Sequence, residues 1–499
     1  MLRVYNLHVT FFFEKGKRMK HPEWATKHKV KGTELRYIRG KYYLYKITSR
    51  WDKEKKVTKK ITLGMIGRIT EQEGLIAKGE STGRKKVAHQ DISVKEYGAS
   101  NILSDFLGGD IIKKLQACFP DTWQTITVLA LQKLIKQAPL KNMEFHYQES
   151  YLSEVYPGLS LSKNSLTSFI AHLSSQEASM KQFKKSMLEG SEHIVFDITH
   201  IISQASNMDI NLQGYNSKQE LEPQVNLFYL FSTDKRMPAY YRILPGNISG
   251  MKALKHTIDE AGLTACTLIG DKGFGSQENL AQLEEIGLRY ILPLRRNNKK
   301  ADYSKLQYRE YDKAFDGHFF YKDRPIFYTV KKEGERQYLL FTDQQLRTKE
   351  EADYLRLIEN NHENYDIEGF KQKQLAFGTM FMVTNAPLAP QEIYQLYKSR
   401  NEIEVMFDVY KNTLQADSSY MHTEKGFNAW AFLNHIALLL YYRLQRVLSD
   451  KDMLKKYSPQ DIIKRLERIQ KLHIKGKWVT SEINSKTVDV MKKLEIPVP

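Results

Sequence analysis

The spacing of apolar residues predicts a different secondary structure in each of three successive parts of the chain. Residues 33–69 alternate apolar with polar positions, as at Tyr43 and Tyr45, which predicts a small β-meander. Residues 96–190 repeat apolar positions every three or four residues, which predicts helices. From His193 onward, short apolar runs alternate with helical patterns. This order predicts a mixed α/β sheet whose first strands form an antiparallel meander.

Individual elements of this sheet follow from the same pattern. The apolar runs predict strands at 193–197, 225–231, 239–244, 266–271, 290–294 and 380–384, with a hairpin turn at 233–236 and helices at 251–260 and 277–285. A polar stretch at 298–378 predicts a β-rich insertion. Residues 394–413 contain no Pro or Gly and predict one helix.

These patterns divide the chain into six parts. We predict a basic β-rich DNA-binding region at 1–92 that ends in a linker near 74–86, a helical domain at 93–190 that also binds DNA, the sheet in two pieces at 191–297 and 379–448, the insertion at 298–378, and a helical tail at 449–499.

Positive charge is concentrated near the start of the chain. The net charge is +18, and residues 1–90 hold 23 Lys and Arg against 8 Asp and Glu. Such a segment favours a polyanion through counterion release, although a merely solvated basic surface would have the same composition. The charge therefore predicts contact with DNA or RNA.

The composition argues against a membrane or a secreted protein. No run of about 18 apolar residues is present, and the Phe11–Phe13 segment lacks a small-residue cleavage site. Cys118 and Cys266 are too few for a disulfide framework or a thiolate metal site, and we expect both to pack as small apolar groups in a reducing cytoplasm.

Four side chains in the predicted helix at 394–413 form a polar stripe. Tyr397, Arg400, Glu404 and Lys411 are spaced by three, four and seven residues, which places them within about 60° of arc on an ideal helix. A carboxylate beside two cations and a tyrosine would suit a metal ligand next to phosphate-binding groups. An ordinary i,i+4 ion pair between Arg400 and Glu404 would explain the spacing equally well.

Two further acids change that balance. Asp197 and Asp271 each follow a predicted strand of the sheet, where neighbouring strands can bring them together. With Glu404 they would supply three hard oxygen ligands, which suits Mg²⁺ or Mn²⁺, and two such ions can drive an in-line phosphoryl transfer. Asp408 lies one turn beyond Glu404 and is a rival third ligand. We interpret Asp209 and Asp234 as turn formers.

Several short motifs occur around these acids in a fixed order. They are Asp197-Ile-Thr199, Gly214-Tyr215 with Gln224-Val-Asn-Leu, Pro245-Gly-Asn247, Gly270-Asp271-Lys272-Gly273-Phe274, and Tyr397-x2-Arg400-x3-Glu404-x6-Lys411. Together these motifs resemble the DDE transposases of bacterial insertion sequences, and more narrowly the group with a Tyr–Arg–Glu–Lys (YREK) signature, whose spacing is matched in full. The resemblance is strong from Ile194 to about Leu440.

The resemblance implies a ribonuclease-H-like catalytic core and a specific reaction. Asp197, Asp271 and Glu404 would be the catalytic residues and would hold two Mg²⁺ ions, with Mn²⁺ as an alternative. Tyr397, Arg400 and Lys411 would contact the phosphates of the element's terminal DNA, and Thr199 and Lys272 would be further DNA or second-layer contacts. The enzyme would cleave double-stranded DNA at the element's ends and join the freed 3′ ends to target DNA.

The resemblance also implies where and with what the protein acts. Two ends must be brought together, so we expect a homodimer in the synaptic complex, close to the nucleoid in a bacterial cytoplasm. A structure-specific nuclease on the same core and an inactive copy that only binds DNA are the alternatives. The stripe residues argue against the first, and the presence of all three acids argues against the second.

Overall fold

Two compact units make up the chain, Met1–Asp91 and Ile92–Pro499. The computed structural model describes residues 21–52, 57–78, 92–215, 220–248, 250–307 and 315–499. Most of the predicted turn at 52–56, the segment 79–86 of the predicted linker and the Phe11–Phe13 segment lie outside the described residues.

The smaller unit contains one antiparallel sheet. A short helix, α1 (Glu23–Thr26), precedes strands β1 (Thr33–Ile38), β2 (Lys41–Asp52), β3 (Val57–Thr70) and β4 (Gly74–Ala77). The strands pair in sequence order, as in a meander. The start of the predicted linker was wrong, because residues 74–77 form β4 and pair with the end of β3.

Only the base of this sheet is packed among the described residues. Leu35, Leu44 and Ile69 are buried together with Ala25 of α1. Farther along, residues 47–51 and 57–63 of the β2–β3 ribbon are mostly solvent-exposed on both faces. Because α1 is only four residues long, it covers the near end of one sheet face and no more.

The larger unit begins with a helical region. Strand β5 (Ser93–Glu96) leads through a π-helical turn (Gly98–Ile102) into helices α2 (Leu103–Cys118), α3 (Trp123–Lys136), α4 (Met143–Glu149), α5 (Leu152–Val155), α6 (Lys163–Ser175) and α7 (Glu177–Leu188). The apolar positions that predicted these helices are buried, including Ile102, Ile111 and Leu115.

The α/β region follows. Its elements are β6 (His193–Ser203), β7 (Leu212–Tyr215), β8 (Leu221–Ser232), β9 (Met237–Pro245), α8 (Gly250–Ala261), β10 (Thr267–Ile269), α9 (Gln277–Glu285), β11 (Arg289–Leu294), β12 (Gly317–Tyr321), β13 (Arg324–Glu333), β14 (Arg336–Asp343), α10 (Gln344–Asn360), α11 (Ile367–Lys373) and β15 (Thr379–Thr384).

The last part of the chain carries α12 (Pro390–Lys398), α13 (Asn401–Asp408), β16 (Ser418–Ser419), α14 (Glu424–Asp450), α15 (Pro459–Leu466), β17 (Gln470–Ile474), β18 (Lys477–Thr480) and α16 (Ser485–Lys493). The end of the chain is not wholly helical as predicted, because β17 and β18 form a hairpin that pairs with β5.

One large mixed sheet organises this unit, so the predicted mixed α/β class is confirmed. Its strands follow the order β12-β13-β14-β15-β11-β10-β6-β8-β7, with β9 beside β8 and β16 beside β6. β10 runs parallel to both β6 and β11, whereas β8 runs antiparallel to both of its neighbours β6 and β9. The strands of the region 298–378 extend this sheet through the β14–β15 pairing instead of forming a separate one.

The sheet is buried on both faces at its centre. Tyr229 and Phe231 of β8 lie in the core that includes α14, whereas Phe228 and Leu230 lie in the core that includes α8. A strand segment covered on both sides favours apolar residues at consecutive positions, which explains the apolar run from Leu227 through Phe231 of β8. Cys118 and Cys266 are both free and buried, as expected.

Among the residues that the structure describes, no helix combines the length and the apolar character needed to cross a membrane.

Candidate active site

Asp197 and Asp271 lie at the same level of two neighbouring parallel strands. The last residue pair between β10 and β6 joins Ile269 to Val195, and each acid comes two residues farther along its chain. Asp197 does not end its strand as predicted, because β6 continues to Ser203. The two acids still lie at the same level, although β10 ends at Ile269 and β6 continues past Asp197.

A glycine next to Asp271 makes this arrangement compact. A Cβ atom on Gly270 would lie 2.3 Å from the ring of Phe196, the residue that precedes Asp197. That ring packs edge-to-face on Phe274, 4.7 Å between centroids. Asp271 then caps a short 3₁₀ turn, since its carboxylate accepts a hydrogen bond from the Lys272 backbone N–H at 2.7 Å.

The helix predicted at 394–413 is interrupted, so the prediction of one continuous helix was wrong. α12 ends at Lys398 and α13 begins at Asn401. At the break, the Ser399 hydroxyl donates to the Leu396 carbonyl at 2.6 Å, and the Arg400 backbone N–H bonds three residues back to Tyr397. Such competition by a serine side chain tightens a helix locally. A π-helical turn follows at Val409–Thr413.

Arg400 links two of the three acids across this break. Its guanidinium hydrogen-bonds the Glu404 carboxylate and lies 3.5 Å from Oδ2 of Asp197. The side chain is mostly buried, whereas that of Glu404 is half exposed. Burial opposes the charge of Arg400, but nearby Asp271, Tyr397, Glu404 and Asp197 outweigh it and raise its pKa. The positive charge of Arg400 therefore interacts with the negative charges of all three acids.

Opposing electrostatic effects act on Asp197. Burial raises its pKa to about 6, and the charges of Asp271 and Glu404 act in the same direction. A hydrogen bond from the Ile198 backbone N–H and the charge of Arg400 oppose that rise. A carboxylate in this state gains stability from any additional cation.

The chemistry of these donors fits a divalent cation, whereas their present spacing does not form a closed metal site. Three carboxylates are hard oxygen ligands of the kind that Mg²⁺ and Mn²⁺ prefer. Within the described ranges, however, no group of three or more His, Cys, Asp or Glu side chains is close enough to hold an ion. Arg400 supplies the positive charge between Asp197 and Glu404.

Lys411 belongs to a second charged group beside the first. Its ammonium lies 3.4 Å from Nε2 of His200, three residues beyond Asp197 on β6. Burial and the Lys411 charge lower the pKa of His200 to about 4, so the imidazole is neutral and its Nε2 accepts a hydrogen bond from the ammonium of Lys411. Burial also lowers the pKa of Lys411 and of Lys133, and the nearby carboxylate of Asp417 opposes both shifts.

The remaining predicted site residues have different environments. Tyr397 lies near Arg400 and Asp271, and burial raises its pKa. Thr199 is buried on β6, two residues beyond Asp197, whereas the side chain of Lys272 is exposed. Lys272 thus contributes its backbone N–H to the site.

Asp408, the rival third ligand, and Asp234, a predicted turn former, have other partners. Asp408 accepts a hydrogen bond from Asn412 at 2.6 Å, and its charge acts on Tyr441 and Tyr442 of α14. Asp234 accepts the backbone N–H groups of Glu192 and His193, both at 2.8 Å, which is a structural role in the hairpin turn.

Two of the sequence motifs form a structural clamp instead of a reactive group. The side-chain amides of Gln224 and Asn226 donate to the Gly246 carbonyl at 3.2 and 3.0 Å. A Cβ atom on Gly246 would lie 2.0 Å from the Gln224 carbonyl oxygen. These residues hold β8 to the end of β9. Sequence reasoning missed His200 and Asp417, since their partners are distant along the chain.

Comparison with known proteins adds a family. The family model described as "Transposase DDE domain" matches residues 190–440, just over half of the 499 residues. Among solved structures, the chain is similar to a piggyBac transposase in a synaptic complex with hairpin DNA. The identity is 9%, the TM-score is 0.37, and the match covers 73% of this chain and 78% of that one. A likeness this distant carries no argument. The comparison with curated proteins gives no match.

Proposed function

Because the chain belongs to the DDE transposase family, and is therefore a transposase, we propose that it moves a bacterial insertion sequence. It would bind the element's two ends, cleave the DNA there and join the 3′ ends to a target. The observation that carries this proposal is the level placement of Asp197 and Asp271 on parallel strands, with Arg400 joining Asp197 to Glu404. The full YREK spacing supports the narrower assignment to that group.

The order of the central strands supports a ribonuclease-H-like core. β9, β8 and β6 are antiparallel neighbours, and β10 and β11 continue in parallel on the other side of β6. Asp197 lies on β6, and Asp271 follows the end of the neighbouring parallel strand β10, so this strand order supports a common site for the two acids.

DDE transposases generally use divalent metal ions, and we infer that Asp197, Asp271 and Glu404 hold two Mg²⁺ ions here, with Mn²⁺ as an alternative. Bound there, the metal would activate the attacking hydroxyl and stabilise the leaving oxygen. The protein must first release Glu404 from Arg400, because that ion pair occupies the carboxylate.

Binding of DNA would release Glu404 from Arg400. A phosphate offers Arg400 a bidentate acceptor, which suits a guanidinium better than it suits an ammonium. Lys411, held by neutral His200, would bind a neighbouring phosphate as a point charge. Tyr397 would complete this surface, and Thr199 and Lys272 would be lesser contacts.

The smaller unit would provide much of the affinity for DNA. In residues 41–63, eight Lys and Arg accompany two acids. A two-stranded β-ribbon fits the major groove, and the described residues in the distal part of β2–β3 are mostly exposed on both faces. The helical region at 93–190 would contribute further contacts. Since two ends must be cut and joined together, the active complex would be a homodimer acting on DNA in the bacterial cytoplasm.

Asp197→Asn tests the proposal. With element-end DNA and Mg²⁺, we expect cleavage to fall by about 10³-fold or more, while end binding in gel-shift assays is retained. Asp408→Asn is the matched control, because this acid lies one turn from Glu404 yet faces α14. Normal cleavage by Asp197→Asn would overturn the proposal, and a similar loss with Asp408→Asn would reassign the third acid.

The products distinguish a transposase from a nuclease. Pre-cut ends incubated with plasmid should yield joined molecules whose new bonds involve the 3′ ends. Cleavage with no joined product would favour the nuclease alternative. Sedimentation with end DNA tests the dimer: a complex that contains one protomer would contradict it.

A further inference from the structure

A cationic groove lies outside the acid site, where the first turns of α6 and α14 come together. Its open volume is about 620 Å³. The charged and aromatic residues that line it are Lys141, Lys163, Lys425, His422 and Tyr420, and its floor includes the apolar side chain of Ile170. None of these residues belongs to the predicted site.

The groove favours an anion. No acidic side chain is among its described lining residues, and its three lysines form no ion pair within the described ranges. Glu424, the nearest acid in sequence, accepts the Ile210 backbone N–H at 3.3 Å instead. Both helices also begin at the groove, with Ser162 and Thr423 as their caps, so the positive ends of two helix dipoles add to the lysine charges.

Tyr420 gives the groove a second property. Its side chain is 83% exposed, the largest value among the large apolar side chains of the described residues. Aliphatic side chains such as Leu166 and Ile170 are among the other lining residues. A cationic groove with an exposed aromatic ring is the combination that binds the bases of unpaired nucleotides by stacking. A duplex hides those base faces.

The groove is connected to the acid site through the backbone. β16, which immediately precedes Tyr420, pairs in parallel with the end of β6, the strand that carries Asp197. The residue before β16 is Asp417, whose charge acts on both Lys411 and Lys133. Lys411, which is beside the acid site, and Lys133 are therefore both close to Asp417, three residues before Tyr420.

We propose that this groove binds unpaired nucleotides of a DNA strand that passes through the acid site. The phosphates lie against Lys141, Lys163 and Lys425, and a base stacks on Tyr420. This inference rests on the proposed function for its substrate, and it adds that the protein recognises unpaired bases as well as duplex.

Fluorescence anisotropy without metal tests this inference in the full chain. The two probes are a blunt labelled duplex and the same duplex with a four-nucleotide 3′ extension. We expect the wild-type protein to bind the extended probe about tenfold more tightly. Tyr420→Ala should remove that preference and leave affinity for the blunt duplex within about twofold. Tyr420→Phe should retain the preference, since stacking needs the ring and not the hydroxyl.

Phe320→Ala is the matched control, because this ring of β12 is 64% exposed and lies outside the groove. It should bind both probes as the wild type does. Equal wild-type affinity for the two probes, or an unchanged preference in Tyr420→Ala, would overturn the inference. Stronger competition by a glutamate-rich peptide than by an oligonucleotide of equal charge would also overturn it. Because cleavage is not the readout, the result is independent of the Asp197→Asn test.

Discussion

The two antiparallel ribbons of this protein, β2–β3 in the smaller unit and β8–β9 in the larger one, have similar local structure and opposite surroundings. Val225 through Ser232 of β8 are buried at every position. In contrast, β3 is exposed from Val57 through Gly64. The difference is one of burial: one ribbon lies inside the core of the larger unit, and the other has a solvent-exposed outer part in the described residues.

The sequence of each ribbon reflects this difference. β8 has an uninterrupted apolar run, whereas β2 and β3 alternate apolar residues with Lys, Arg and Thr. Burial contributes roughly 25 cal/mol per Å² of apolar surface, so the core ribbon carries stability that the exposed ribbon lacks. Three measurements test this contrast.

The largest effect is expected in the core. Phe228→Ala removes a fully buried ring that stacks on Phe196 at 5.7 Å, and should destabilise the larger unit by about 3–5 kcal/mol. Trp51→Ala, at a ring 57% exposed in β2, should change stability by less than about 0.5 kcal/mol. Urea unfolding with a probe in each unit measures both. Equal shifts would show that the exposed ribbon packs in solution.

The second effect concerns pH. Burial raises the pKa of Glu96 in the larger unit to about 7, above the ordinary 4.5, so the folded state binds more protons between these values. Its stability should therefore fall as pH rises from 4.5 to 7. Glu96→Gln should abolish that slope and stabilise the unit at pH 8 by up to about 3 kcal/mol.

Glu34 of the smaller unit should behave oppositely. Hydrogen bonds from Lys60 and Arg36 lower its pKa, so its contribution is present above pH 4.5 and is lost on acidification. Glu34→Gln should weaken the smaller unit near neutral pH and remove part of its acid sensitivity. Chemical denaturation across pH 4–8 measures how each substitution changes the slope of stability against pH. Changes of the same sign in Glu96→Gln and Glu34→Gln would contradict this contrast.

The smallest effect on stability is expected at the exposed ribbon. Arg50 and Lys59 are directly opposite each other, and like charges so placed repel. Replacing both by Ala should raise stability by a few tenths of a kcal/mol and reduce the slope of log affinity against log salt by about two. Lys486→Ala in α16 of the larger unit is the control. An unchanged slope in the double variant would place the DNA contact elsewhere.

The sequence predicted the elements of the core better than their limits. The hairpin at 233–236, the Ser276-capped helix α9 and the mixed sheet are all present. Asp197 was expected at a strand end, yet its strand continues because the β16 pairing and the long β8 pairing extend it. Apolar pattern alone does not record how far a partner strand reaches.

The helix predicted at 394–413 shows a different limit of prediction from sequence. The break at Ser399 accompanies a hydrogen bond from the serine hydroxyl to the Leu396 carbonyl. The i,i+4 spacing of side chains does not predict such a bond. The roles of Asp408 and His200 depend on tertiary contacts with α14 and Lys411, respectively. For this reason the spacing of the stripe left Asp408 open as a ligand, and His200 had no local signal.

The ion pairs of Arg400 have a thermodynamic consequence. In the proposed mode of binding, the guanidinium would leave Glu404 and Asp197 to make a bidentate bond to a phosphate, so DNA and metal ions would each bind more readily once the other had displaced the pair. Such coupling is reciprocal: the factor by which end DNA tightens metal binding equals the factor by which the metal tightens binding of the end. A chromosome without an element end would leave the coupling unused, and the acids would remain neutralised by the protein's own cation.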